Sequence, residues 1–126
     1  MVSNHLVVNY PIPEMGWNIF NENLRSIRST GKLVDVLMYP SPTYYKRNKA
    51  VIDVLDVFAR DYSNVELVRS DLAFCESIRQ DFCVGQIDDV IYYSDDDHLS
   101  DSGATRLLNQ ISVDQLIGNR NREVRQ

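Results

Sequence analysis

Residues 90–104 limit the fold of this chain more than any other segment, because three kinds of local structure follow one another there. Residues 90–93 are an apolar run typical of a buried strand, and the acidic loop after them contains one of the chain's two histidines. Ser100 or Asp101 can then cap a helix that begins at once. A strand that leads through a short polar loop into a helix indicates an α/β fold.

Other apolar runs predict the remaining strands. Residues 6–10 and 65–68 indicate buried strands, whereas residues 33–39 fit either a short strand or a helical turn. The segment after residue 68 is polar and is predicted to be a loop that holds Cys75 and Cys83. The order of these elements predicts an α/β architecture with a parallel sheet.

Helical periodicity predicts two further helices. The first ends at Gly31, with Asn18 or Asn21 as its cap, and the second covers residues 48–62. The proline-rich residues 40–43 are expected to break regular structure before the second helix. The second helix is amphipathic, and its apolar face carries Val51, Val54, Leu55, Phe58 and Tyr62.

Length and composition indicate one soluble globular domain that covers residues 1–126. The chain has 126 residues, of which 44% are hydrophobic and 25% are charged, as is typical of such proteins. Its net charge of -5 argues against nucleic-acid binding, which needs a basic surface. No apolar run approaches the roughly 20 residues of a membrane span, and residues 1–10 lack the pattern of a signal peptide. Residues 118–126 are predicted to be a flexible tail.

Asp95 and His98 form an Asp-x-x-His motif within the acidic loop. In acyl transfer, a neutral imidazole accepts the proton of a serine hydroxyl, while a carboxylate fixes the tautomer of the ring and stabilises the imidazolium. The motif therefore predicts the base and the orienting group of a hydrolytic triad. Two other interpretations fit the same loop: a solvated segment that caps a helix, and a metal site built from Asp95, Asp96, Asp97 and His98.

The metal interpretation is the weaker of these alternatives. The spacing does not match an EF-hand loop, and adjacent carboxylates along one loop cannot all converge on one ion. We therefore expect neither a metal nor another cofactor in this chain.

A second loop is expected to lie beside the Asp-x-x-His motif. Active sites in open α/β sheets form at the carboxyl ends of the strands. Residues 10–14 leave the first predicted strand, and the acidic loop leaves the last one. Both loops should therefore share one rim of the sheet.

Cys75 and Cys83 fit neither a Cys-x-x-Cys redox motif nor a zinc pattern. A disulfide would imply an oxidising compartment, whereas two half-buried thiols would suit a cytosolic protein. The residues alone leave both interpretations open.

Three features of the sequence resemble SGNH hydrolases. Residues 93–104, Tyr-Ser-Asp-Asp-Asp-His-Leu-Ser-Asp-Ser-Gly-Ala, are similar to the last conserved block of that family. They most resemble the periplasmic SGNH domain fused to membrane-bound acyltransferase-3 proteins, which modify bacterial surface polysaccharides. Residues 8–17 resemble the Pro-x-Pro-Glu loop of those domains. Cys75 and Cys83 match a cysteine pair common in them, so the resemblance favours a disulfide.

The resemblance implies a fold and a set of roles. It covers residues 5–117 and corresponds to the C-terminal part of a three-layer α/β/α domain of the flavodoxin-like SGNH type. An incomplete fold with a small, mostly parallel sheet is therefore expected. Asp95 would orient His98, and His98 would act first as general base and then as general acid. Glu14 and Trp17 would lie at the rim of the site, and the two remaining loop aspartates would be solvated neighbours.

No serine of this chain fits the family's nucleophile, which lies in a Gly-Asp-Ser motif. None of the five glycines precedes Asp-Ser. Ser41 lies between two prolines, and Ser94 and Ser100 flank the Asp-x-x-His motif, where their geometry is poor. We therefore expect a fragment or truncated relative of an SGNH polysaccharide O-acetyltransferase or acyl-ester hydrolase. It would act on an acyl donor and a glycan acceptor only with the missing N-terminal half.

A non-enzymatic function is the alternative. An α/β remnant could be an interaction or structural module that forms a homodimer through the exposed edge of its sheet. The location differs with the context of the chain: periplasmic as part of a larger membrane protein, and cytoplasmic if the chain is expressed alone.

Overall fold

A computed structural model describes residues 4–111 of the chain, which form five strands and four helices. The predicted tail at residues 118–126 lies outside the described residues. In chain order the elements are β1 (Leu6–Asn9), α1 (Ile19–Thr30), β2 (Val36–Pro40), α2 (Ser41–Asp61), β3 (Val65–Val68), α3 (Asp71–Phe74), β4 (Phe82–Ile87), β5 (Val90–Ile91) and α4 (Asp101–Gln110). The α/β class is confirmed, and none of the helices in the described range is long and apolar enough to cross a membrane.

The strands form two small sheets. β1 and β3 pair in parallel, with Leu6 opposite Val65. β2, β4 and β5 form an antiparallel sheet with β4 in the centre. The parallel arrangement expected for most of the sheet is thus limited to β1 and β3. A two-residue turn joins β4 directly to β5, with Asp88 at a φ of 53°, and so short a turn allows only antiparallel pairing.

Strand β4 replaces part of the loop that the sequence predicts after residue 68. The strand is buried on both faces, yet it contains Gly85 and Gln86, which obscure its apolar character. The Gln86 side chain is satisfied inside the protein, because its Nε2 donates to Asn23 Oδ1 (3.0 Å) and its Oε1 accepts from Asn23 Nδ2 (2.5 Å). Gly85 leaves room for Met15, whose Cε would lie 2.5 Å from an added Cβ.

Helix α1 agrees closely with its sequence signals. The side chain of Asn18 accepts a hydrogen bond from the N–H of Asn21 (3.1 Å) and caps the helix. Gly31 ends the helix with a φ of 75°, a left-handed conformation that glycine adopts without strain, and its N–H donates to Ile27 O (2.9 Å).

Helix α2 begins earlier than expected. The prediction that residues 40–43 break regular structure is wrong, because the helix starts at Ser41 with Pro42 in its first turn. Proline is tolerated there since its missing N–H would have no partner within the helix.

The apolar face expected on α2 is only partly covered. Its buried contacts come from Ser41 and Tyr44 near the start of the helix. We call the exposed large apolar residues of this helix and its C-cap the α2 stripe: Val51, Val54, Val57, Phe58 and Tyr62.

The hydrophobic core joins both loops of the predicted rim to the antiparallel sheet. It contains Met15, Ile19, Tyr39, Tyr44, Ala73, Phe74, Cys75, Cys83, Val84, Tyr92 and Tyr93. Met15, which follows the first rim loop, and Tyr93, which precedes the second, therefore pack in the same cluster and hold the two loops in place.

Candidate functional site

The acidic loop at residues 94–98 is closed by hydrogen bonds of its own ends. The N–H of Ser94 donates to the carbonyl of His98 (2.8 Å), and the Ser94 hydroxyl donates to the same oxygen (3.2 Å). Tyr93 and Leu99 pair as an isolated antiparallel bridge. These bonds use no side chain of the aspartates, which are therefore left available to the imidazole.

The Asp95 carboxylate is held by the backbone of the residues that follow it. Its Oδ1 accepts from the N–H of Asp97 (3.0 Å) and from the N–H of His98 (2.7 Å). Its Oδ2 lies 2.8 Å from Nδ1 of the His98 ring. Short polar side chains commonly bond to the backbone a few residues ahead in such turns. The three-residue spacing thus brings carboxylate and imidazole together within one turn.

The charges of the loop support this pairing. The backbone N–H of His98, followed by that of Asp97, holds the pKa of Asp95 well below its usual range, so this carboxylate stays ionised. The hydrogen bond to Asp95, and then the negative charges of Asp95 and Asp97, raise the pKa of His98 above its ordinary value of 6.5. The His98 side chain is 75% exposed, and the described residues form no hydrogen bond with its Nε2.

Asp97 is a contact that the sequence did not reveal. Its side chain is 47% exposed, as expected of a solvated neighbour, and its Oδ1 also lies 2.8 Å from Nδ1 of His98. Partial desolvation raises the pKa of Asp97, and a hydrogen bond with Asp95 acts in the same direction. Only the acidic residue type hinted at this role, because the direction of its side chain depends on how the loop turns.

One group of side chains in residues 4–111 has the proximity needed to hold a cation. Ligand atoms of Asp95, Asp97 and His98 all lie within 4.8 Å of one another. The charge-assisted hydrogen bond between Asp95 and the imidazole, together with the attraction of the Asp97 charge, already accounts for this proximity. We therefore assign no metal to the loop.

The two loops of the predicted rim contact each other. The N–H of Met15 donates to the carbonyl of Asp96 (2.8 Å). The buried hydroxyl of Tyr93 donates to the carbonyl of Pro13 (2.5 Å). The loop after β1 therefore supports the acidic loop through two hydrogen bonds, and we call it the bracing loop.

Glu14 and Trp17 lie on this bracing loop, but their side chains have other partners. Glu14 forms an exposed ion pair with Arg47 of α2 (3.2 Å). Trp17 packs edge-on against Tyr39 of β2, at 6.4 Å between ring centroids. No hydrogen bond or ion pair in the described part of the chain joins either side chain to His98.

Comparison with known proteins identifies the family. A sequence model of the SGNH domain, in the form fused to AT3 domains, matches residues 2–112. The chain belongs to this SGNH domain family. No curated protein and no solved structure gives a significant match.

The three serines considered as substitute nucleophiles in this SGNH chain have structural partners. Ser100 caps α4, because its hydroxyl oxygen accepts from the N–H of Gly103 (3.1 Å) while its O–H donates to Ile91 O (2.5 Å). The hydroxyl of the buried Ser41 donates to Glu76. Ser94 bonds to a backbone carbonyl, as described above. None of these three hydroxyls bonds to the imidazole of His98.

The two cysteines of the SGNH domain lie in the core. Cys75 follows α3 and Cys83 lies on β4, and a disulfide joins them. Both side chains are fully buried. The buried disulfide ties the residue after α3 to the central strand of the antiparallel sheet.

Proposed function

We propose that this chain supplies the base of a serine-dependent acyl-transfer site of the SGNH type. The observation that carries the proposal is the Asp95–His98 contact of 2.8 Å at Nδ1, which directs the Nε2 edge of an exposed ring away from the carboxylates. A neutral imidazole held in this way is a competent general base. Membership of the SGNH domain family supports acyl transfer as the reaction class.

In the proposed reaction, Nε2 of His98 accepts the proton of a serine hydroxyl as the serine oxygen attacks an acyl carbonyl. The proton then passes to the oxygen of the departing group, and an acyl-serine remains. Water or a sugar hydroxyl next gives its proton to Nε2 and takes the acyl group. Nε2 then returns that proton to the departing serine oxygen, which restores both the serine and the neutral imidazole. Asp95 remains ionised throughout and stabilises the imidazolium.

The nucleophile of this reaction would come from outside the 126 residues. The sequence contains no Gly-Asp-Ser segment, and the imidazole is open to solvent. We propose that a further part of an SGNH domain, or another polypeptide, brings the serine to Nε2. The family's fusion to AT3 domains supports a larger membrane protein as the setting of this chain. We further propose a periplasmic location, an acetyl donor and a glycan acceptor.

The test begins with the DNA upstream of Met1. An in-frame segment that encodes Gly-Asp-Ser is expected. Its absence there and in neighbouring genes would contradict the proposed source of the nucleophile. Hydrolysis of an aryl acetate is then measured for the protein that contains both parts.

Substitution of His98 tests the base directly. We expect His98→Ala to lower the rate by about 10²- to 10⁴-fold, the usual contribution of a general base. His5→Gln is the matched control, since His5 is the other histidine and lies beside Glu66 instead of the acidic loop. Hydrolysis at an undiminished rate by His98→Ala would refute the proposed role.

One observation favours a second candidate function, a homodimeric interaction module. The β1–β3 sheet has two strands, so each strand has an edge without a strand partner in the described part of the chain. Unpaired strand edges and the α2 stripe are surfaces on which a second copy can pack. Light scattering over a range of concentrations measures the mass in solution, and a monomer throughout would contradict this function.

A further inference from the structure

Two carboxylates approach the same nitrogen of the His98 ring. Asp95 Oδ2 and Asp97 Oδ1 each lie 2.8 Å from Nδ1. The residue between them, Asp96, makes its contact through the backbone, where its carbonyl accepts from Met15. The orientation of the ring is therefore set by the first and third aspartates of the loop.

We propose that Asp97 is a second positioning residue for His98, whose charge beside Nδ1 reinforces the hydrogen bond to Asp95 and helps to keep Nε2 unprotonated in the neutral ring. The role rests on the proposed function of His98 as a base. It goes beyond that function because the Asp-x-x-His pair needs only one carboxylate.

The two carboxylates are held differently, so they can act in different ways. Asp95 accepts two backbone N–H bonds at Oδ1, which fix its position before the imidazole takes up a proton. Asp97 is 47% exposed at its side chain and has no such backbone bond. A fixed acceptor sets the plane of the ring, while a freer one follows the ring as its charge changes. Together they can neutralise the imidazolium better than one anion can.

The pKa of His98 is raised by charges of its own loop. These negative charges belong to Asp95, Asp97 and, more weakly, Asp96. Substitution of each aspartate in turn therefore tests each of these charges separately.

The test is nuclear magnetic resonance of ¹⁵N-labelled histidine side chains over a pH titration of the full chain, in buffer with a chelator. Asp97→Asn removes the charge, and Asp97→Ala also removes the polar group beside Nδ1. Asp96→Asn is the matched control, since it removes the neighbouring charge but no contact with the ring. His5 provides an internal reference signal.

The expected result is a lower pKa of His98 in Asp97→Asn, together with ring ¹⁵N signals that move towards the values of a free imidazole with mixed tautomers. Asp97→Ala should shift both readouts further, while Asp96→Asn should leave the tautomer signals in place. The proposal is overturned if both Asp97 variants behave like Asp96→Asn.

Asp95→Asn separates this proposal from the proposed function. If Asp95→Asn changes the tautomer signals and the Asp97 variants do not, the base stands and only the role of Asp97 fails. If Asp95→Asn also has no effect, the pairing at Nδ1 is absent and both proposals fail. Backbone amide spectra establish that each variant is folded.

Discussion

Among the four glycines in residues 4–111, Gly103 should be the least tolerant of a side chain. It lies in the first turn of α4, where the helix packs against the end of the antiparallel sheet. A Cβ at this position would lie 2.0 Å from the carbonyl oxygen of Tyr92 and 3.0 Å from a methyl group of Leu99. Backbone atoms cannot rotate away as a side chain can, so α4 and the residue after β5 would have to separate.

The cost of Gly103→Ala follows from this contact. Overpacking against a fixed backbone costs about 1–3 kcal/mol. Separation also weakens the hydrogen bond from the N–H of Ser100 to the same Tyr92 oxygen (2.9 Å), worth about 0.5–1.5 kcal/mol. The higher helix propensity of alanine returns about 1 kcal/mol. We therefore expect the free energy of unfolding to fall by about 1–3 kcal/mol.

Urea unfolding followed by far-ultraviolet circular dichroism measures this change, because the free energy of unfolding extrapolates linearly to zero denaturant. Ser102→Ala is the matched control: it lies on the same helix, is exposed, and should change stability by no more than about 0.5 kcal/mol. Equal stability of the two variants would show that the close approach of α4 to Tyr92 has been misjudged.

Three further predictions concern charge, the disulfide and the buried amides. The hydrogen bond to the Asp95 carboxylate raises the pKa of His98 above 6.5, so the charged His98 stabilises the fold at low pH. This stabilisation is lost as the pH rises through the pKa of His98 in the folded protein. In urea unfolding, His98→Ala should therefore lower the free energy of unfolding more at about pH 5.5 than at about pH 9. Reduction of the bond between Cys75 and Cys83, whose sequence separation is 8, should lower stability by about 2–3 kcal/mol, and a double serine variant should not respond to reductant. Asn23→Ala removes hydrogen-bond partners of the buried Gln86 amide and should cost about 1–3 kcal/mol in the same assay; unchanged stability would mean that water replaces them.

The elements that the sequence predicted correctly are those with local signals. Helix α1 carries its cap Asn18 and its terminator Gly31 in the sequence itself. The helix after the acidic loop likewise begins after Ser100, one of its two candidate caps. Strands β1 and β3 are short apolar runs, and apolar runs are visible without knowledge of the partner strand.

The elements that escaped prediction depend on residues far apart in the chain. From the sequence, the polar Gln86 is expected in a loop. In the structure its amide is buried, because Asn23, 63 positions away, forms hydrogen bonds with it. The α2 stripe looks like a core-facing surface, because periodicity shows that a face is apolar but not what covers it. These features are decided by packing, which a single sequence does not display.

The candidate site divides in the same way. The contact between Asp95 and His98 follows from a three-residue spacing and a tight turn, so the sequence could predict it. The contact of Asp97 with the ring depends on the loop's dihedral angles, and the bracing by Met15 depends on tertiary packing. A spacing rule therefore finds the pair but not the residues that surround it.

The hydrogen bonds that hold Asp95 have a consequence for how such a site can be inherited. Every hydrogen bond that the described residues make to its carboxylate comes from Asp97 or His98, so carboxylate and imidazole meet within four consecutive residues. Exchange of a distant region of the gene therefore leaves this contact intact as long as the contacts of Met15 and Tyr93 keep the conformation of the loop. The pair is inherited as one short segment of sequence together with the fold that holds it.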